Sequence, residues 1–200
     1  MTMTIALDAR DLIVPIQDVP RGLACMCRCI ECGEPVVARK GHKRAHHFSH
    51  ASQKDPCVVK PESFVHRYAK QVVMEHLGLQ LPPMPDHYPK TQDESSWWDF
   101  ESAKEEVWLG SFRPDIVAEL KDGPLLIEIA CTSFVGDEKQ ARIENLGLRT
   151  IEVDISSLEV TPSPEGLLKL QNAILHNPTL KRWLYPLTEE LTLTEGGRKN

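Results

Sequence analysis

FRPDIVAELKDGPLLIEIACTS, residues 112–133, sets two apolar runs on either side of Lys121-Asp122-Gly123. Glycine reaches backbone conformations closed to other residues, so Asp-Gly between two β-like runs signals a tight turn. Arg113–Leu120 and Leu125–Ala130 are therefore predicted to form a hairpin. With the strands antiparallel, Asp115, which opens the first, falls roughly opposite Glu128, late in the second. Their neighbours Ile116, Val117, Leu125, Leu126, Ile127 and Ile129 are apolar. A carboxylate buried in such a run needs a partner or a metal. Two carboxylates facing each other at strand spacing repel unless a cation lies between them. Hard oxygen donors select a hard cation, so Mg²⁺ or Mn²⁺ is the expected ion. Such an ion polarises a phosphodiester and acidifies a bound water. The alternative is one carboxylate turned to solvent at a sheet edge.

Outward from this hairpin the periodicity changes. Residues 136–146 have a helical pattern that stops at Gly147, Thr150–Val153 reads as a buried strand, and 164–176 as another helix. Trp183 and Leu184 are expected to pack a final turn onto the core. Upstream, 62–78 reads as a helix, with Phe64, Val65, Tyr68, Ala69, Val72 and Val73 recurring near helical spacing and Gly78 as its stop. Residues 80–105, rich in proline, acid and serine, read as an irregular connection with at most one edge strand. Val107–Leu109 reads as a short strand, as does the region around Leu12–Ile16. The tail from Thr192 is expected to fray. Helix, strands, helix, strand, helix is the order of an α/β sandwich around a small mixed sheet. Its 200 residues allow one ordinary core and a small accessory module.

That accessory module is marked by cysteine. Cys25, Cys27, Cys29, Cys32 and Cys57 lie in the first third of the chain, and only Cys131 lies outside it. The N-terminal MTMTIALDARDLIVPI lacks the basic start of a signal peptide, and no apolar run is long enough to span a bilayer. The expected compartment is thus the cytoplasm, where clustered cysteines suggest metal ligation more than disulfides. Cys29-Ile-Glu-Cys32 is followed by a Val36–Arg39 strand pattern, a turn at Gly41, and His47-Phe-Ser-His50. Cys-x₂-Cys with a later His/Cys pair closes a tetrahedron of ligands around structural Zn²⁺. Cys29 and Cys32 form one pair. His50 and Cys57 are the preferred second pair, with His47 as the alternative and Cys25 and Cys27 as spares. A module this small has little core, so the metal supplies much of its stability.

The formal net charge of −6 excludes a chain that is basic throughout. The charge is segregated instead. Residues 21–54 carry seven Lys/Arg against two acids, whereas 84–106 carry seven acids against two lysines. A local basic face binds phosphate even on an acidic chain. Arg39, Lys40, Lys43 and Arg44 on the predicted hairpin are the candidate contacts to a nucleic-acid backbone. Such contacts position a protein without reading sequence.

Glu62, His66 and Lys70 in ESFVHRYAK are spaced i, i+4, i+8 and share one helical face. By spacing alone, a charge ladder on a surface helix reads the same way.

The carboxylate hairpin, with Arg113-Pro114-Asp115 at its start and Glu128 in IEIA, resembles the signature of the restriction-endonuclease-like PD-(D/E)XK fold. With the Cys/His module ahead of it, the order resembles more particularly the competence protein CoiA-like family, over roughly residues 25–155. The resemblance implies an N-terminal strand and zinc ribbon (1–58), a nuclease-like α/β domain (59–190) and a tail (191–200). It implies a metal-dependent DNA endonuclease, directed by DNA structure more than by sequence, with structural Zn²⁺ and catalytic Mg²⁺ or Mn²⁺. Glu62 becomes a third acid of the metal site, His66 orients water or contacts the scissile phosphate, and Lys70 binds phosphate. The family's usual lysine, two residues after the glutamate, is replaced by Ala130. Lys139, near the start of the following helix, is the expected substitute, with Gln140 as the alternative. Failing both, the domain is an inactive DNA-binding module acting in DNA uptake, recombination or defence, in company with other proteins of those processes. The sequence leaves oligomeric state open.

Overall fold

A computed structural model describes residues 2–85, 95–132 and 134–186, with the side chains of residues 61–63 outside the description. The chain divides into two compact units, Met1–Gln71 with Leu158–Asn172, and Val72–Ser157 with Ala173–Asn200.

In the first unit, β1 (Ile5–Leu7) and β2 (Ile13–Pro15) pair antiparallel. β3 (Val36–Arg39) and β4 (His47–His50) form the expected hairpin, with Val36 opposite His50. Leu7 and Arg28 exchange both backbone hydrogen bonds (2.9 and 2.8 Å), and the Met3 carbonyl accepts from Phe48 N–H at 2.8 Å. These bonds tie β1 to the cysteine-rich turns and to β4. Met3, Ile16, Cys27, Val36 and Phe48 form the centre of a small core. Helix α1 (Pro61–His76) follows, burying Phe64, Ala69, Val72 and Val73 at the positions its periodicity predicts. It ends at His76, two residues before the expected Gly78, and is followed by Leu77, whose φ of 48° breaks the helix.

The second unit holds β5 (Gly78–Leu81), β6 (Ser96–Asp99), β7 (Ser102–Glu105), β8 (Ile116–Leu120), β9 (Gly123–Ala130), α2 (Asp137–Leu146), β10 (Thr150–Asp154), α3 (Pro164–His176) and β11 (Lys181–Tyr185). The first turns of α3 belong to the first unit. A five-stranded mixed sheet runs β11-β10-β9-β8-β7, with β9 and β10 parallel and the other pairs antiparallel. Three helices and this sheet make a mixed α/β fold. Phe112, Val117, Leu126, Ile143 and Leu184 pack together, so α2 covers the sheet face that carries the even-numbered residues of β9. Gly147 takes the left-handed conformation (φ 65°) that caps α2, and its N–H reaches Ile143 and Glu144 carbonyls.

Three readings change. The 80–105 stretch contains β6, β7 and the end of β5 in place of an irregular connection. Trp97 and Trp98 supply the β-favouring residues there. A Cβ at Gly78 would lie 2.5 Å from the Trp97 ring, so only glycine lets that ring close over the backbone. Val107–Leu109 makes no strand, only a single bridge from Leu109 to Phe112. Trp183 and Leu184 lie on β11, which closes the sheet edge beside β10. The expected fraying from Thr192 lies outside the described residues, among which no helix is long and apolar enough to cross a membrane.

Candidate functional site

In the first unit, Cys29, Cys32, His50 and Cys57 converge, each offering one ligand atom, all within 4.8 Å of one another. Among the described residues this is the one group of three or more His, Cys, Asp or Glu side chains with that property. His50 Nε2 lies 3.4 Å from Cys32 Sγ and 3.8 Å from Cys57 Sγ. A tetrahedron with zinc–sulfur bonds of about 2.3 Å has edges of about 3.7 Å, so the donor set suits Zn²⁺. The local fold explains the convergence. The turn after Cys29 closes through Gly33 N–H to Cys29 carbonyl (2.9 Å), while β4 presents His50 directly across from Val36. His50 is fully buried, with Nε2 toward the two thiols and Nδ1 without a hydrogen-bond partner.

Burial opposes ionisation of the Cys32 thiol. The Glu34 backbone, Cys29 and the Lys54 ammonium outweigh it and bring the thiol down to about 6. A thiol primed in this way is a ready metal ligand. The geometry also separates the alternatives. His47 turns away, its Nδ1 2.9 Å from the Ala45 carbonyl. Cys25 and Cys27 are buried against backbone, Cys25 Sγ at 3.6 Å from Val36 O and Cys27 Sγ at 3.3 Å from Cys25 O.

At its turn end, the β3–β4 hairpin walls a pocket of about 690 Å³ that includes Arg21, Arg39, Lys40, Lys43, Arg44 and His47. Two of the predicted phosphate contacts are already engaged. Arg39 Nε donates to Ser49 Oγ at 3.0 Å, and Lys40 Nζ donates to the Gln17 carbonyl at 2.9 Å and to that of Val19. Lys43 and Arg44 are exposed.

In the second unit, β8 pairs with β9 so that Ile116 faces Ile127, and one further step puts Asp115 across from Glu128. The sequence places Asp115 on the strand, whereas the structure begins β8 one residue later. Asp115 Oδ2 accepts the Ile129 N–H at 2.9 Å, which holds its carboxylate against β9. On the other side, parallel pairing sets Glu152 of β10 beside Glu128. Three acids thus stand in a row, Asp115 just before β8, Glu128 on β9 and Glu152 on β10, on the face that α2 covers. Glu152 was absent from the predicted site. Its signal was the same one that marked Glu128, an acid inside a buried strand, here TIEVD.

The three acids are not equivalent. Glu152 is satisfied at both oxygens, by Val135 N–H (2.9 Å) and by Arg182 (2.6 Å). Glu128, 4 % exposed, accepts from Lys139 Nζ at 2.5 Å through Oε2, while its buried Oε1 has no partner. Burial pushes Glu128 up to about 7; Lys139 works against this, and the charges of Asp115 and Glu152 add to it. A buried carboxylate with an orphaned oxygen beside a second carboxylate suits a hard divalent cation. Of the two residues expected as substitutes for the lysine replaced by Ala130, Lys139 contacts Glu128, whereas Gln140 donates to Glu144 (2.8 Å) and the Leu184 carbonyl (2.9 Å). His66 and Lys70 lie on α1 within the first unit, Lys70 buried and His66 half-buried. The Glu62 side chain lies outside the described residues.

Over 118 residues the chain is 26% identical to competence protein CoiA of Bacillus subtilis (strain 168), covering 58% of this chain and 27% of that protein. The chain thus spans about a quarter of the relative's length. No protein-family model matches the chain, and no solved structure does.

Proposed function

We propose that the second unit belongs to a restriction-endonuclease-like domain that hydrolyses DNA phosphodiester bonds with a divalent metal ion, and that residues 1–58 of the first unit form a zinc ribbon gripping the DNA backbone. The observation that carries this reading is the orphaned, buried Oε1 of Glu128 beside Asp115, with the Lys139 ammonium on the other oxygen. Asp115 and Glu128 would hold Mg²⁺ or Mn²⁺. When bound, the ion polarises a phosphoryl oxygen and acidifies a water molecule. Lys139 supplies a positive charge beside Glu128 that offsets the negative charge developing on the substrate. Lys43 and Arg44 contact phosphates without reading bases, which suits recognition of DNA structure. Similarity to a competence protein supports an association with DNA uptake or recombination, or with defence, in the cytoplasm and alongside other proteins of those processes.

The experiment is cleavage of linear, branched and single-stranded DNA by the zinc-loaded full chain. Cutting that needs Mg²⁺ or Mn²⁺ and is lost in Asp115→Ala and Glu128→Ala is the expected result. Intact DNA of all three kinds, with verified metal content, ends the hydrolase reading.

One observation favours a second reading, a DNA-binding module without catalysis. Lys139 already gives Glu128 a cationic partner at 2.5 Å, which partly replaces a metal ion. Salt-sensitive DNA binding with no cleavage under any divalent ion is its signature.

A further inference from the structure

Trp108 is 65 % exposed, unusual for the largest apolar side chain, and Arg113 lies 5.6 Å over its ring. It borders a pocket of about 480 Å³ in the second unit, with Phe112, Arg113, Lys139 and Arg142 among its walls. That volume falls within the range of small-ligand sites. The pocket is not a phosphate cradle. Its three cations face two acids, Asp137 and Glu138, and each cation is already engaged: Arg113 by Glu106 (2.6 Å), Arg142 by Glu138, and Lys139 by Glu128. A nearly neutral hollow with an exposed indole and both donors and acceptors on its walls suits a heterocyclic base. Lys139 lines the pocket and also contacts Glu128, so one side chain links whatever occupies the pocket to the carboxylate row.

We infer that this pocket receives one unpaired nucleotide base, stacked on Trp108, and so makes a single strand or an unpaired junction the preferred substrate. This deepens the hydrolase reading and rests on it for the identity of the ligand. In duplex DNA each base face is covered by its neighbours, so the indole is usable only by a base that has left the stack. Base–aromatic stacking tolerates any base, which gives preference for structure without preference for sequence.

The test is binding, at fixed salt in chelating-resin-treated buffer without added Mg²⁺ or Mn²⁺, of the zinc-loaded full chain to a fluorescent oligothymidine, to the same strand with abasic positions, and to a duplex. The inference expects the abasic strand to bind roughly five- to hundred-fold more weakly than oligothymidine, the range set by one stacked base. Trp108→Ala should lower oligothymidine affinity similarly and leave abasic and duplex affinity unchanged, while Trp108→Phe restores most of it. Equal affinity for based and abasic strands overturns the inference, as does a Trp108→Ala loss that is equal on all three, or no single-strand binding at all. The wild-type comparison needs no variant to fold. Failure of the hydrolase reading appears separately, as uncut DNA with Mn²⁺ in a protein that still discriminates based from abasic strand.

Discussion

The Cys/His cluster and the carboxylate row are both gatherings of metal-ligand side chains, but they relate to the fold in opposite ways. Cys29, Cys32, His50 and Cys57 sit on turns and a two-stranded hairpin with a small core, and their donors face one another. Glu128 and Glu152 stand on central strands of a five-stranded sheet with Asp115 at the start of the neighbouring one, and protein groups already meet much of their charge. A metal held in the first region would be part of the fold. In the second the fold is complete without one, and one buried oxygen of Glu128 has no partner.

The largest expected effect tests that contrast. Cys29→Ser or Cys32→Ser should cost several kcal/mol, since a closed zinc site contributes folding energy directly. Thermal melting with zinc quantified in the same samples measures it. Asp115→Ala should leave zinc content and the melting temperature within a few degrees of wild type. A variant pair that behaves the other way round breaks the comparison.

Next in size is activity. Glu128→Ala and Asp115→Ala should each reduce cleavage by a hundred-fold or more. Lys139→Met should reduce it by about a hundred-fold, the lower end of the range for loss of one charge-stabilising contact. Rates on a fixed substrate with Mn²⁺ rank the three. A Lys139→Met protein that cuts as well as wild type would leave the ammonium as a structural partner of Glu128 alone.

The pH dependence sharpens the picture further. Glu128 is held near 7 in the fold against an ordinary 4.5. With its folded pKa above the unfolded one, the native state keeps this proton longer, so stability is highest below about 4.5 and falls as pH rises toward about 7. The shift corresponds to at most about 3 kcal/mol. Denaturant unfolding of zinc-loaded protein, without other divalent ions, should show Glu128→Gln gaining on wild type as pH rises through this window. A constant difference between the two would mean that Glu128 is not desolvated as described.

The smallest effect belongs to the basic hairpin. Lys43→Ala and Arg44→Ala should each weaken DNA binding less than ten-fold at moderate salt, and lower the slope of log affinity against log salt by about one. Lys40→Ala should instead lower stability, because its ammonium ties the hairpin to the Gln17 and Val19 carbonyls.

The legible parts of the molecule were those with a strong period or a turn residue. The Lys-Asp-Gly turn gave the β8–β9 hairpin, Gly147 ended α2, and Cys-x₂-Cys with His50 and Cys57 gave the donor cluster. The edges were harder to read. β6 and β7 are short and largely exposed, so their sequences SWWD and SAKE lack the alternation of a half-buried strand. Trp108 lies in an apolar run that reads as a strand, and only the folded chain reveals its exposure. Glu152 is a matter of register. Nothing local in TIEVD says that parallel pairing sets it beside Glu128.

Mn²⁺ binding to the zinc-loaded full chain, followed by electron paramagnetic resonance, tests the central claim most directly. Asp115 and Glu128 should bind one Mn²⁺ per chain, with the site lost in Asp115→Ala and Glu128→Ala while zinc content stays constant. Absence of bound Mn²⁺ in the wild-type protein, or binding that survives both substitutions, would contradict it.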